Sequence, residues 1–224
     1  MPAYRIGKKN VLFIHVPKTG GTSIEAFLQT HAEPALHNRG RKLLKPVKSS
    51  FLEPSLAMQH FHGDMLEAMF PSGFFDYAFM VVRHPLQRLI SEYGHARNLM
   101  RFDSMLPFNT WAALALSAAS IAPGLSNNHF RQQKAFHCFG AEVFRFEEGV
   151  GSILNAVASR LNLPAPQEAP HEKRSTTQAP AISGHVRSRV ASLYETDFKA
   201  FGYEQDTVAI AGKFPAFGHV TKTA

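Results

Sequence analysis

The sequence predicts an α/β protein in which buried strands alternate with helices. Residues 11–16 and residues 77–82 are short apolar runs rich in β-branched residues and Phe, which is typical of strands buried in parallel sheets. A glycine loop and a helical apolar face follow the first run, and a longer helical face follows the second. This alternation of strands with helices indicates an α/β sheet.

The individual elements follow from the spacing of apolar residues. The clearest helix begins near Pro85, a residue that the first turn of a helix tolerates, and carries apolar side chains three and four residues apart. The other predictions are a helix with Ile24, Phe27 and Leu28 on its apolar face, helices at residues 62–70, 111–119, about 153–161 and about 183–201, a strand at residues 142–146, and loops at residues 31–56, 122–128 and 163–183, the first with room for a short strand.

Length and charge limit the number of domains and the kind of partner. A chain of 224 residues suits one compact domain, with a core at about 9–202 and a C-terminal tail at 203–224. The net charge of +7 and a pI near 9.7 favour an anionic partner. No repeat or linker divides the chain.

The cysteine count and the apolar runs indicate a compartment. A single cysteine, Cys138, excludes an intrachain disulfide and fits a reducing environment, although it also allows a secreted protein without disulfides. The first apolar run is short and meets Pro17 and Lys18, unlike a signal peptide, and no stretch reaches the roughly 20 apolar residues of a membrane span. We therefore expect a cytoplasmic protein without a membrane span.

The segment "FIHVPKTGGTSIE", residues 13–25, places a glycine loop between a strand and a helix. The free N–H groups and the dipole at a helix N-terminus bind anions. Gly20 and Gly21 allow the backbone to wrap closely, and Lys18 adds a cation. Thr22 or Ser23 could instead cap an ordinary glycine turn.

This loop does not match the phosphate loop of nucleoside triphosphatases. That motif places the lysine after the last glycine, whereas Lys18 precedes both glycines. The spacing argues against a magnesium–triphosphate site and favours an anion that needs backbone donors and a lysine.

The same segment closely resembles the 5′-phosphosulfate loop of the sulfotransferase superfamily. The resemblance is to the branch that modifies carbohydrates, which includes the heparan and chondroitin sulfate enzymes and their bacterial relatives. A second motif of that family is an arginine that ends a strand, with a serine eight residues later in the next helix. Arg83 and Ser91 have this spacing. The resemblance implies a P-loop-like, doubly wound parallel sheet flanked by helices, in a single domain.

The resemblance also implies the donor and its contacts. The donor is 3′-phosphoadenosine 5′-phosphosulfate (PAPS), the product is 3′-phosphoadenosine 5′-phosphate (PAP), and no metal is needed. Lys18 would stabilise the leaving phosphate oxygen, and Arg83 and Ser91 would bind the 3′-phosphate. Arg88 could also reach that phosphate, but we expect it to face solvent. A late basic loop would close over the donor, unless it is simply solvated. The predicted donor contacts are Pro17, Lys18, Thr19, Gly20, Gly21, Thr22, Ser23, Arg83, Ser91, Lys173, Arg174 and Ser175.

A histidine is the natural general base for an acceptor hydroxyl at neutral pH. The block around "MQHFHGD" resembles bacterial family members in which a histidine precedes a short helix, and His60 matches that position. His62 is the second choice and Glu25 a distant one. A helix-capping role, or a metal pair of His60 and His62 without an obvious third ligand, is the alternative.

The acceptor is less well defined. The stretch "NNHFRQQ" resembles a family segment beside the active site, although Gln132 replaces the usual proline, and it predicts Asn128, His129 and Gln133 in the donor or acceptor cleft. We expect a hydroxyl of a glycan or glycolipid, and no nucleic acid. The alternatives are a P-loop-type nucleotide-dependent kinase and a non-catalytic polyanion-binding protein.

Overall fold

The computed structural model describes residues 2–36, 58–99, 106–166 and 180–205. Its strands are β1 (Ala3–Ile6), β2 (Lys9–Ile14), β3 (Glu33–Leu36), β4 (Tyr77–Val82) and β5 (Glu142–Arg145). They form one sheet in the order β3-β1-β2-β4-β5.

Helices connect the strands and cover the sheet. They are α1 (Gly21–His31), α2 (Gly63–Met69), α3 (Pro85–Leu99), α4 (Phe108–Ile121), α5 (Leu125–Asn128), α6 (Val150–Leu161), α7 (Gly184–Leu193) and α8 (Glu195–Phe201). Short 3₁₀ helices lie at Met58–His60, Gln133–Phe136 and Phe146–Glu148. Among the described residues, no helix is long and apolar enough to cross a membrane.

The sheet has a parallel centre and an antiparallel edge. Strands β2, β4 and β5 run parallel, with Leu12 opposite Ala78 and Met80 opposite Val143. Strand β1 returns antiparallel to β2, and β3 pairs antiparallel with β1. The predicted α/β fold, with parallel strands and flanking helices, is confirmed. The sequence did not indicate β1, because its pairing depends on the turn at Gly7 and not on a pattern within its own residues.

Helices cover both faces of the sheet, which explains the unbroken apolar runs in β2 and β4. Phe13 and Phe79 pack on the face that α1 and α6 cover. Leu12 and Met80 alternate with them and pack on the opposite face, together with residues of α2. Cys138 belongs to this second cluster, and burial raises the pKa of its thiol to about 12. The cysteine is therefore a protonated packing residue.

A third apolar cluster joins helices α3, α4, α7 and α8. Leu86 and Leu89 of α3 pack with Trp111 of α4 and Val190 of α7. This confirms the apolar face predicted after Pro85. It also fixes the orientation of α3, whose other residues reach the carboxyl ends of the strands.

Some predicted boundaries differ from the structure. The helix expected at about 183–201 is two helices, α7 and α8, because Tyr194 between them leaves helical geometry (φ −109°, ψ 23°). Its hydroxyl donates to the Phe130 carbonyl at 3.0 Å, which holds the break in place. Most of the loops predicted at 31–56 and 163–183, and most of the tail, lie outside the described residues.

Candidate functional site

The segments that follow β2, β4 and β5 meet at one edge of the sheet. Parallel strands place their carboxyl ends side by side, and α/β proteins bind ligands there. Arg83, which follows β4, donates from Nη1 to the carbonyl of Lys18 in the loop after β2, at 3.3 Å. Its guanidinium carbon lies 4.4 Å from the ring centre of Phe146, which follows β5. The predicted anion loop and the predicted arginine are thus in direct contact.

The anion loop turns through two left-handed residues. Lys18 has φ 70° and Gly20 has φ 83°. Glycine adopts this conformation freely, but a lysine in it is strained by about 1–2 kcal/mol. The Thr19 hydroxyl donates to the Val16 carbonyl at 2.9 Å and is fully buried, so it stabilises the turn from inside. The backbone is thereby held in a fixed curve before α1 begins.

Helix α1 begins without a side-chain cap. Gly20 is its N-cap residue, no side chain accepts a hydrogen bond from its first turn, and that turn contains no acidic residue. Thr22 is exposed and Ser23 half-buried at this end. An uncapped N-terminus with its free N–H groups attracts an anion. The plain glycine turn capped by Thr22 or Ser23 therefore does not describe this loop.

Both glycines of the loop are closely packed. A Cβ atom on Gly20 would lie 2.9 Å from the Phe146 ring, and one on Gly21 would lie 2.1 Å from Nε2 of His15. Contacts under 3.0 Å force a neighbour to move. The loop thus needs glycine at both positions for its packing, and at Gly20 also for its left-handed conformation.

Lys18 lies among charged groups. Burial lowers the pKa of its ammonium; the nearby Glu92 carboxylate opposes this effect, and the Arg83 cation adds to it. Within the described ranges, no carboxylate forms a salt bridge with Lys18. A partly desolvated lysine beside an arginine favours binding of an anion that neutralises both.

The Gln133 side chain holds the backbone of Arg83 in place. The Gln133 side chain accepts from the Arg83 N–H at 2.9 Å and donates to the Arg83 carbonyl at 2.8 Å. Gln133 is fully buried. Asp197 of α8 in turn accepts from the N–H groups of Gln133 and Lys134, at 2.9 and 2.8 Å. Burial raises the pKa of Asp197, and those two backbone donors oppose the shift. Gln133, which was predicted in the cleft, thus positions Arg83 through the arginine's backbone.

Arg88 corrects an expectation from the sequence. It was predicted to face solvent, but its side chain is 3% exposed. Its Nε donates to the Pro17 carbonyl at 3.2 Å, and its Nη2 donates to the His129 carbonyl at 2.6 Å. The helical-face argument failed because α3 is enclosed on more than its apolar side. Ser91, one turn later, is half-buried on the same helix.

His60, the predicted base, is 5% exposed. Its Nδ1 lies 3.1 Å from the Asn127 carbonyl and 2.9 Å from the Asn127 side-chain amide, and its Nε2 lies 3.0 Å from Nε2 of Gln59. Burial, followed by the neighbouring His15 and His129, lowers the pKa of His60 to about 2. His60 is therefore neutral at pH 7, with both ring nitrogens engaged.

Two histidine–carboxylate pairs flank His60. On one side, Nδ1 of His15 lies 2.5 Å from Oε1 of Glu25. On the other, Nδ1 of His129 lies 2.7 Å from Oε2 of Glu92. The rings of His15 and His129 contact the His60 ring edge-on, with centres 5.2 and 5.0 Å away. The three imidazoles form a continuous row beside the anion loop.

A left-handed turn supports one end of this row. Ser126, Asn127 and Asn128 have φ of 50°, 60° and 66°, an arrangement that costs about 1–2 kcal/mol for each residue. Hydrogen bonds of the Asn128 side chain offset part of that cost. The side chain donates to the His60 carbonyl at 2.8 Å and accepts from Arg131 at 2.7 Å. Asn128 is fully buried and braces His60.

The remaining predicted residues lie in different places. His62 precedes α2 as its N-cap residue, half-buried, with Nδ1 4.0 Å from Oδ2 of Asp64. The predicted residues 173–175 (Lys173, Arg174 and Ser175) lie outside the described part of the chain. No grouping of His, Cys, Asp and Glu in residues 2–36, 58–99, 106–166 and 180–205 suits a metal ion.

Sequence reasoning missed the pairing of the histidines with carboxylates. From the sequence, His15 is expected only to be buried at the end of its strand, and Glu92 only to lie outside the apolar face of its helix. The partners are 10 residues apart in one pair and 37 in the other. No local period encodes either distance. One available signal was that Arg88 and Glu92 are four residues apart on one helix, and so share a face.

Comparison with protein families gives one match. Residues 3–204 match the sulfotransferase family, over most of the chain and over every described site residue. The carbohydrate-modifying branch named by the loop motif is consistent with that family. Searches of curated proteins and of solved structures gave no match.

Proposed function

Because the chain belongs to the sulfotransferase family, we propose that it transfers the sulfuryl group of PAPS to a hydroxyl of a carbohydrate acceptor. The observation that carries this proposal is the anion loop itself. Its uncapped helix N-terminus, strained lysine and adjoining arginine support binding of an anion that carries a phosphate and a sulfate group. The family match supports sulfuryl transfer, and the anion loop supports PAPS as the donor.

The 5′-phosphosulfate would bind at the start of α1. The N–H groups of residues 19–22 and the hydroxyls of Thr22 and Ser23 would be the donors at that end of the helix, whereas the Ser23 N–H already donates to the Gly20 carbonyl at 3.1 Å. Sulfuryl transfer leaves negative charge on the phosphate oxygen, and Lys18 is placed to stabilise it. The Thr19 hydroxyl, already used within the loop, contributes only its backbone.

The 3′-phosphate would bind to Arg83 and Ser91. Arg83 offers a planar fork that suits phosphate, and its stacking on Phe146 restricts the orientation of that fork. Ser91 lies on α3, which the third apolar cluster holds rigidly. We further propose that residues 173–175 close over the donor, as the family resemblance implies.

The acceptor would approach the row of histidines. An acceptor hydroxyl loses its proton as sulfur is transferred, and a neutral imidazole can accept it. His60 is the base that the sequence predicts first and His62 second. A glycan hydroxyl is our proposed acceptor, because the matched family includes carbohydrate-modifying branches and the chain is basic.

Donor binding gives the first test. PAP should raise the melting temperature of the protein in the absence of magnesium, and ATP with magnesium should not. Arg83→Ala should weaken PAP binding on the order of tenfold to a hundredfold, because it removes charge-assisted hydrogen bonds. Lys8→Ala, an exposed lysine in the β1–β2 turn, is the matched control. Equal PAP binding by Arg83→Ala and Lys8→Ala would refute the donor site.

The acceptor needs a separate experiment. Labelled PAPS is incubated with the protein and with glycan and lipid extracts, and the products are separated by polarity. We expect label in the glycan fraction, and none with Lys18→Ala. Label confined to the lipid fraction would contradict the carbohydrate acceptor and leave the donor intact.

A further inference from the structure

We propose that His129, held by Glu92, is the general base of this site in place of His60. The inference rests on the proposed function and deepens it, since it names the atom that takes the acceptor proton. It follows from the contacts of the three histidines in the row, taken one at a time.

His60 has no nitrogen available for an acceptor hydroxyl. Both ring nitrogens lie within 3.1 Å of amide or carbonyl groups of Gln59 and Asn127, and the side chain is almost wholly enclosed. The burial that lowers its pKa also makes it a weak proton acceptor. His60 serves as a neutral spacer that separates the two flanking imidazoles.

His15 is also covered. Its Nδ1 faces Glu25, and its Nε2 lies against Gly21, so closely that a Cβ atom there would be 2.1 Å away. The ring stacks on Phe13 with centres 5.4 Å apart. His15 therefore supports the start of α1, and its second nitrogen is directed at the backbone of the anion loop.

His129 differs from both. Its Nδ1 is 2.7 Å from the Glu92 carboxylate, which can only accept, so Nδ1 carries a proton; in the neutral ring the lone pair is then on Nε2. Among the contacts of the described residues, none is a hydrogen bond to that Nε2. The side chain is 13% exposed, against 8% for Glu92. A carboxylate behind an imidazole whose other nitrogen is open is the arrangement of an activated base.

The charges around His129 connect it with the donor loop. Glu92 and His95 face it from α3, and His60 faces it across the row. Glu92 also acts on Lys18, whose ammonium would face the leaving oxygen. Arg88 donates to the carbonyls of both Pro17 and His129 and so fixes the base relative to the loop.

Nε2 of His129 takes the proton of the acceptor hydroxyl while the acceptor oxygen forms its bond to sulfur. The bond between sulfur and the 5′-phosphate oxygen breaks, and that oxygen leaves with the electron pair beside Lys18. Glu92 stabilises the imidazolium, which then releases its proton to water. Nothing is oxidised or reduced, and no co-reactant is needed.

The tautomer of His129 tests the inference without any acceptor. In protein saturated with PAP at neutral pH, the ¹⁵N shifts of the ring are assigned by their loss in His129→Gln. We expect a neutral ring with its proton on Nδ1 and a bare Nε2. A proton on Nε2, or a charged ring, overturns the proposal.

Turnover gives a second readout, measured as PAP release from PAPS with unsulfated chondroitin and with water alone. His129→Gln should lower kcat about a hundredfold or more with PAP affinity unchanged. Glu92→Gln should move the acid limb of the pH–rate profile to lower pH, because the imidazolium loses its carboxylate. Glu25→Gln, in the matching pair, should leave that limb in place.

The base and the proposed function can fail independently. A large loss with His60→Gln and wild-type kcat with His129→Gln would overturn the assignment of the base. A wild-type protein that does not bind PAP would instead refute the proposed function. If circular dichroism shows that His129→Gln is unfolded, the base is assigned from the tautomer of the wild-type protein and from the pH–rate profile of Glu92→Gln.

Discussion

Replacing Gly21 with alanine places a methyl group where the His15 ring now lies. The new Cβ would be 2.1, 2.4 and 2.5 Å from three atoms of that ring. The ring cannot turn aside easily, because Nδ1 is held by Glu25 and one face stacks on Phe13. The substitution must therefore displace either the imidazole or the first turn of α1.

These contacts determine how far Gly21→Ala destabilises the fold. Loss of the bond between His15 and the Glu25 carboxylate costs about 1.5–3 kcal/mol, and repacking an overfilled core costs about 1–3 kcal/mol. Alanine returns up to about 1 kcal/mol through its helix propensity. The net destabilisation of Gly21→Ala is about 3 kcal/mol, which for a chain of 224 residues lowers the melting temperature by about 10 °C.

Urea unfolding and calorimetric titration with PAP measure the two consequences. Gly151→Ala is the control, because Gly151 is also in the first turn of a helix, and a Cβ there would meet nothing within 4 Å. The double variant Gly21→Ala with His15→Ala should recover part of the loss, with a coupling of about 1–3 kcal/mol. If Gly21→Ala were as stable as Gly151→Ala and bound PAP normally, the packing argument would be wrong.

Three further predictions concern strain, protonation and bracing. Lys18→Gly should raise the free energy of unfolding by about 1 kcal/mol, because it relieves the left-handed lysine, and should abolish transfer; a destabilised variant in urea unfolding would contradict this. The folded-state pKa of His60 is about 2, against an ordinary value of 6.5, so the unfolded chain binds the extra proton below pH 6.5 and stability falls as the pH falls. Between pH 7 and pH 5 this loss is about 2 kcal/mol, and the stability difference between wild type and His60→Gln across those two pH values should show it. Gln133→Ala leaves the N–H and carbonyl groups of Arg83 without partners and should cost about 2–4 kcal/mol in urea unfolding; a loss of PAP binding without any loss of stability would show that the glutamine contacts the donor itself.

The sequence predicted the parts of the molecule that have a strong local signal. Strand β4 was predicted with the bounds that the structure shows, because its run of six residues is buried on both faces. The contact between Arg83 and the loop at Lys18 follows from parallel strands ending at one edge. Strand β1 was missed because its pairing is decided by the hairpin at Gly7 and not by its own four residues.

The site was harder to predict for a related reason. The burial of Arg88 depends on two carbonyls, of Pro17 and His129, that lie 71 and 41 residues away in the chain. The pairing of His129 with Glu92 depends equally on how α3 is oriented by the third apolar cluster. Such contacts are properties of tertiary packing and have no period in the sequence.

The buried chain of contacts from Asp197 through Gln133 to Arg83 has a consequence for the order of events during synthesis. Gln133 is 50 residues from Arg83, and Asp197 is a further 64 residues along. The N-terminal parts of a protein emerge first, so the anion loop and β4 leave the ribosome long before α8 does. Contacts between such distant residues also form slowly. A nascent chain that ends before α8 would therefore contain the anion loop and Arg83 without the Asp197 contacts that hold Gln133 in place. We expect full affinity for the donor only after α8 docks.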